Sequence, residues 1–290
     1  MTGMATCKIH DREEYIEQAY FFRVLRERLA QNLATQDVLR GLDQEILSTT
    51  RLPYAVQFLT AEMKHSGLLS SGFERLGHYF TPFQAFIVRS TETEARRFSV
   101  DTALLVLQSE AEYRAAGVTP AGLFVYQFEV LSRNRLGYEG GLASMAGDPV
   151  YDAAWVAFLD TVRTQVGLID FGELIYLRSE LFAQEQRRRD PSFEPAAAPL
   201  FGEKEGKIAR ANRGRDPRYL FSALQRQLNY PEVPVPKPAD DATARIEVLQ
   251  ARLRELEKRL HLLESEVRGQ LDMEQLKDLG RPELFRDPEE

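Results

Sequence analysis

The chain has 290 residues, 43% of them apolar and 28% charged, with a formal net charge of −7 and a pI near 5.4. That is enough chain for one large domain or two smaller ones with a buried core, and its acidic balance gives no overall steering toward nucleic acid or an anionic membrane. The single cysteine, Cys7, excludes a disulfide framework within this chain and a multi-cysteine zinc site.

Residues 1–15 hold no apolar run of the kind a secretory leader needs, so a cytoplasmic location is expected. Residues 13–33 place Tyr15, Ile16, Ala19, Phe22, Leu25 and Leu29 at helical spacing, and Thr35 is placed to cap a second helix with Val38, Leu39, Leu42, Ile46 and Leu47 inward. Pro53 fits the first position of a third helix, and Gly67 its stop. Thr81-Pro82, Thr119-Pro120, Asp148-Pro149 and Asp216-Pro217 each set a side-chain acceptor before a proline. The acceptor can bond an N–H of the first turn, and proline lacks an N–H that would be orphaned there. Ser99 and Asp170 are further caps, and Gly117, Gly137 and Gly167 are expected stops.

The stretch 122–131 is the most apolar of the chain. It is too short to span a bilayer, it contains Gln127 and Glu129, and its capped start favours a buried helix. A carboxylate in such surroundings needs a partner, and Arg133 sits at i+4 from Glu129 for an ion pair. Tyr151, Ala154, Trp155, Phe158, Val162 and Val166 form one later stripe, and Phe171, Leu174, Ile175, Leu177 and Leu181 another. No series of alternating strands joined by hairpin turns is present. The expected fold is all-α: a multi-helix globular domain of about eight helices over residues 1–189, a proline-rich linker over 190–238, and a C-terminal coiled-coil helix with an acidic tail over 239–290.

The linker carries a basic segment and one short amphipathic helix, 217–229. Lys204, Lys207, Arg210, Arg213, Arg215 and Arg218 stand against Glu205 and Asp216, a local excess of cations suited to phosphate or to an acidic partner surface. No aromatic residue is interleaved for base stacking, so nucleic acid is the weaker of these readings. After the prolines of 231–238, Ile246, Leu249, Leu253, Leu256, Leu260, Leu263 and Val267 alternate at spacings of three and four. A 3.5-residue repeat keeps one narrow stripe toward a partner helix by supercoiling. Arg252 and Arg259 at g face Glu257 and Glu264 at e′ of a parallel partner, although Leu262 at c departs from a pure two-stranded pattern.

A metal site has one fragment in its favour. Glu62 and His65 form Glu-x-x-His, which puts both side chains on one helix face as in di-iron bundles, with His78, Glu110, Glu112 and Glu129 as further donors. A bundle site uses two such motifs and this chain has one, so neither metal nor another cofactor is expected. The aromatic run from His78 to Phe86 reads as core at a helix start, with a hydrophobic ligand pocket as the other reading. The chain also lacks the nucleophile-elbow, phosphate-loop and dinucleotide glycine motifs. The expectation is a non-enzymatic cytoplasmic interaction or scaffold protein that partners itself through the coiled coil and another protein besides. The two alternatives are a helical-bundle metalloenzyme and a nucleic-acid-binding adaptor.

Overall fold

A computed structural model describes residues 8–93 and 98–235. These residues form thirteen α-helices: α1 Arg12–Ala30, α2 Thr35–Leu42, α3 Leu52–Ser66, α4 Leu69–Arg75, α5 Pro82–Glu92, α6 Val100–Ala115, α7 Pro120–Arg133, α8 Tyr138–Met145, α9 Ala153–Gln165, α10 Phe171–Leu177, α11 Glu180–Arg189, α12 Glu203–Ala211 and α13 Pro217–Leu228. Among the described residues there is no strand, only the isolated bridges Val166–Ile169 and Ser179–Phe201. No helix among them is long and apolar enough to cross a membrane.

Helix starts follow the expected capping chemistry at five places. Thr81, Ser99, Thr119, Asp170 and Asp216 each accept a first-turn N–H. At Thr81 the arrangement is a full capping box, since the Gln84 side chain also accepts from the Thr81 N–H at 3.0 Å. The stops at Gly67, Gly117 and Gly167 sit at φ values of 73°, 101° and 86°, left-handed conformations that glycine adopts without a Cβ clash.

The longest helix, α1, lies along α6 and buries Tyr15, Gln18, Phe21, Phe22 and Leu25. Helices α2 and α3 pack against α1, α4 packs on α3, and α5 packs between α4, α6 and α8. Helix α7 is the centre of the second half, with ten consecutive buried residues from Gly122 to Leu131. A helix buried on all faces reads as an unbroken apolar run rather than a stripe, which is why periodicity alone left this stretch ambiguous. Around it the rings of Phe124, Phe128, Trp155, Phe158, Phe171 and Phe201 interlock; Phe128 and Phe171 stack at 4.0 Å between centroids and 4° between planes.

The structure departs from the expected elements in several places. Thr35, expected as a cap, is the first residue of α2, and the N-cap is Ala34, which makes no side-chain bond. Helices α4 and α8 are additional; each is short, and α8 (Tyr-Glu-Gly-Gly-Leu-Ala-Ser-Met) has little apolar periodicity of its own. Gly137, expected as a stop, is the N-cap of α8. Leu47 is exposed, outside the stripe that buries Leu42 and Ile46. Asp148 starts no helix: α9 begins at Ala153, with Asp152 accepting from the N–H groups of Ala154 and Trp155.

The stretch expected as linker from residue 190 contains two helices and joins the core. Phe201, Ala209, Leu220, Phe221, Leu224, Tyr230 and Val233 are buried with the residues of α7 and α10. The chain of 190–200 returns to the start of α11, where the N–H groups of Leu200 and Phe201 donate to the Arg178 carbonyl at 2.8 and 3.1 Å. Proline content does not mark what the next thirty residues pack against. The heptad residues 246–267 lie outside the described residues.

Candidate binding groove

The aromatic run at the α4–α5 junction builds one side of a groove of about 720 Å³, within the range of small-molecule and side-chain pockets. Phe73 and Phe80 form its base, and Pro82, Ala85 and Phe86 one wall. Two of these line the groove for a local reason: the capping box fixes the direction in which α5 leaves Thr81, so Ala85 and Phe86 fall one turn later on the face that also meets α8. The opposite wall is the α8 segment, with Gly140, Ala143, Ser144 and Gly147. A Cβ at Gly140 would stand 3.2 Å from the Phe86 ring, and one at Gly147 would stand 2.8 Å from Pro82. Glycine at these two positions is what lets α8 approach α5 closely enough to make a groove rather than a gap.

Charge sits on the rim. The Arg75 and Arg89 side chains are exposed, Arg75 lies 2.6 Å from Glu62, and Arg89 lies 3.2 Å from Glu74. His78, also exposed, belongs to the same rim. The charged lining is Arg75, Arg89 and Glu74; with Arg75 paired to Glu62 and Arg89 to Glu74, the rim presents exposed guanidinium groups whose charge neighbouring carboxylates balance.

The sequence-derived metal donors are placed apart in function. Glu62 is buried and accepts from the Ser71 hydroxyl at 2.8 Å and from Arg75 at 2.6 Å, while His65 is exposed. Glu129 is held by Arg133 at 2.6 Å and by the Tyr230 hydroxyl at 2.7 Å, and burial nonetheless pushes its carboxyl above the usual range. Among the described residues no three His, Cys, Asp or Glu side chains converge as a ligand set.

The basic segment lies on α12 and at the start of α13, and four of its six cations already face carboxylates. Lys207 meets Glu203 at 2.6 Å and Arg218 meets Asp216 at 2.6 Å. Arg210 pairs with Glu185 of α11, and Arg213 pairs with Glu173 of α10 while covering the Tyr176 ring at 4.0 Å. These pairs reach from α12 and the α12–α13 turn to α10 and α11, so the cationic excess read along the chain is largely balanced in space. A phosphate would compete with them for the same guanidinium groups. Lys204 and Arg215 are exposed on the same surface.

Two buried polar clusters carry chemistry the sequence did not announce. In the first, His10 Nε2 donates to the Tyr79 carbonyl at 2.7 Å, and Arg51 donates to His10 Nδ1 at 2.9 Å. Arginine has only donors, so this pairing fixes the neutral Nε2–H tautomer. Glu14 accepts from the Tyr79 hydroxyl at 2.6 Å and from the Arg51 N–H at 3.0 Å. In the second, the side chains of Glu110, Arg114 and Asp148 are wholly excluded from solvent. Arg114 donates twice to Glu110 Oε1, at 2.8 and 2.9 Å, and its other donors reach Asp148. Gln127 contacts Glu110 Oε2 at 3.4 Å, and the Tyr151 hydroxyl donates to Gln127 at 2.9 Å. The i,i+4 spacing of Glu110 and Arg114 was visible in the sequence; the third member, 34 positions further on, was not.

The chain matches no family model, no curated protein and no solved structure.

Proposed function

We propose that the chain is a non-enzymatic cytoplasmic interaction protein. It self-associates through the heptads of 246–267 and receives, in the α5–α8 groove, an apolar segment of a partner protein flanked by carboxylates. The observation that carries the groove assignment is its composition: an aromatic and alanine lining with the exposed guanidinium groups of Arg75 and Arg89 on the rim, each in an ion pair that a partner's carboxylate can exchange into. Apolar walls with a few charged groups at the edge supply burial and orientation, which is the division of labour of a recognition site. The buried ionisable groups support the same reading, because Glu62, Glu129, Glu110 and Asp148 each face a guanidinium in their own cluster.

Anilinonaphthalene sulfonate, an aromatic anion, is a direct probe of this composition. The folded protein is expected to bind it with a rise in fluorescence, as accessible apolar surface does. Ala143 is exposed on the α8 wall, so Ala143→Trp fills the groove without disturbing the core and should abolish that binding with an unchanged melting temperature. Arg89→Glu should weaken it. Equal binding by wild type and both variants would remove the groove from the proposal.

A further inference from the structure

The Glu110–Arg114–Asp148 cluster places two carboxylates around one guanidinium, with no solvent contact for any of the three side chains. Fully ionised, it would leave one uncompensated negative charge in the core, which is strongly unfavourable in surroundings of low polarisability. The other groups facing it are Tyr15 from α1, which lies under the guanidinium, Tyr126 and Gln127 from α7, and Tyr151 ahead of α9. Burial pushes all three tyrosine hydroxyls up, so they add no charge, and His10, whose ring feels Arg114, is fixed in its neutral form. The cation of the cluster is Arg114 alone.

We infer that the cluster is a proton-binding site, loaded at neutral pH, with the proton on Glu110 Oε2. The two carboxylates differ in how their oxygens are used. Both Asp148 oxygens face N–H donors, Oδ1 receiving the Val150 N–H at 3.0 Å as well as Arg114. On Glu110, Oε1 takes both Arg114 bonds, and Oε2 has only the Gln127 amide at 3.4 Å. Oε2 is therefore the carboxylate oxygen with the weakest set of donors in the cluster. Exchanging the oxygen and nitrogen of the Gln127 amide, which occupy equivalent positions, lets the Glu110 O–H donate to Gln127 and the amide N–H donate to Tyr151. Both Glu110 oxygens are then paired, Tyr151 becomes an acceptor, and the net charge of the cluster is zero. The burial of Glu110 raises its carboxyl affinity for the proton in the same direction. The loaded cluster joins α6 to α7 and to the turn after α8, whose last residue before Asp148 is Gly147 of the groove wall.

Glu110→Gln tests this, because an amide reproduces the size and neutrality of the acid. The sign follows from linkage: a carboxyl whose folded affinity is raised stabilises the fold below the unfolded pKa and loses that advantage as pH rises toward the folded one. Between about 4.3, the unfolded value, and the folded value, the wild-type folding constant therefore drops tenfold per pH unit relative to the variant. Urea unfolding of full-length wild type and Glu110→Gln from pH 5 to 9 should show the two curves still diverging at pH 7. An infrared carboxylic-acid band at pH 7 should be present in wild type and smaller by one group in the variant. Parallel stability curves above pH 6, an unchanged band, or a Glu110→Gln chain that does not fold at pH 7 would each overturn the assignment.

Discussion

His10 belongs to a titrating network that lies within the first turns of the chain and yet depends on residues far along it. Its ring is held between a carbonyl and a guanidinium, so the imidazole can gain a proton only by turning Nδ1–H toward Arg51. Burial, with Arg51 and Arg114 pushing the same way, lowers its pKa below the ordinary 6.5, against the Tyr79 carbonyl and Glu14. A depressed histidine makes the fold most stable above the unfolded value and less stable as pH falls through the folded one. Wild-type melting temperature should fall between pH 6.5 and 5 more steeply than that of His10→Gln, and thermal scans at fixed ionic strength measure the difference. Asp148 marks the limit of residue-level reading. Its Asp-Pro pair is a good local cap signal, but a cap is worth about 1 kcal/mol, whereas leaving Arg114 buried without Asp148, the counter-charge that remains when Glu110 holds its proton, costs more. The long-range charge wins, and nothing within ten positions of Asp148 reveals it.

Elements with a strong stripe or a side-chain cap were legible: α1, α3, α5, α6, α7, α10 and α13 fall where apolar spacing, Pro53 or a Thr, Ser or Asp acceptor put them. Helices α8 and α12 were not, because glycine lowers their propensity and what holds them is a neighbour rather than their own pattern. The groove shares this fate, since the sequence offered one wall, the aromatic run, and gave no sign that α8 would supply the other. Gly206 in α12 shows the competition between local and tertiary terms. Alanine would improve the isolated helix by about 1 kcal/mol. Its Cβ, however, would lie 2.8 Å from both the Ser179 and Leu181 Cβ atoms, neither of which is the free end of a flexible chain. Overpacking of this kind costs about 1–3 kcal/mol, so Gly206→Ala should be net destabilising by up to about 2 kcal/mol. Urea midpoints at constant m-value check it.

At the scale of the whole molecule, the described helices have their own core, so the association proposed for the heptads should be separable from folding. Leu256 is a central d residue between Leu253 and Leu260 at a. Leu256→Glu would place one unpaired charge per chain in the seam, and a coil of roughly three and a half heptads has little stability to spare. Sedimentation should find an oligomeric wild type and a folded helical monomer for Leu256→Glu or for truncation after Pro238. A monomeric wild type would remove self-association from the proposed function.

The return of 200–233 into the core has one more consequence. The bend 190–199 is largely exposed, while Phe201, Leu220, Phe221, Leu224 and Tyr230 beyond it sit against α7 and α10. The two sides of the bend are therefore complementary halves of one interior, joined by a covalent strap that contributes little to their contact. A protease cutting near Ala197 should leave a nicked protein that elutes as a single species and comes apart only in denaturant. Separately expressed halves divided at that bend should find each other on mixing. The same strap is then a natural insertion point, where a foreign domain or a reporter could be carried without cost to the interior it spans.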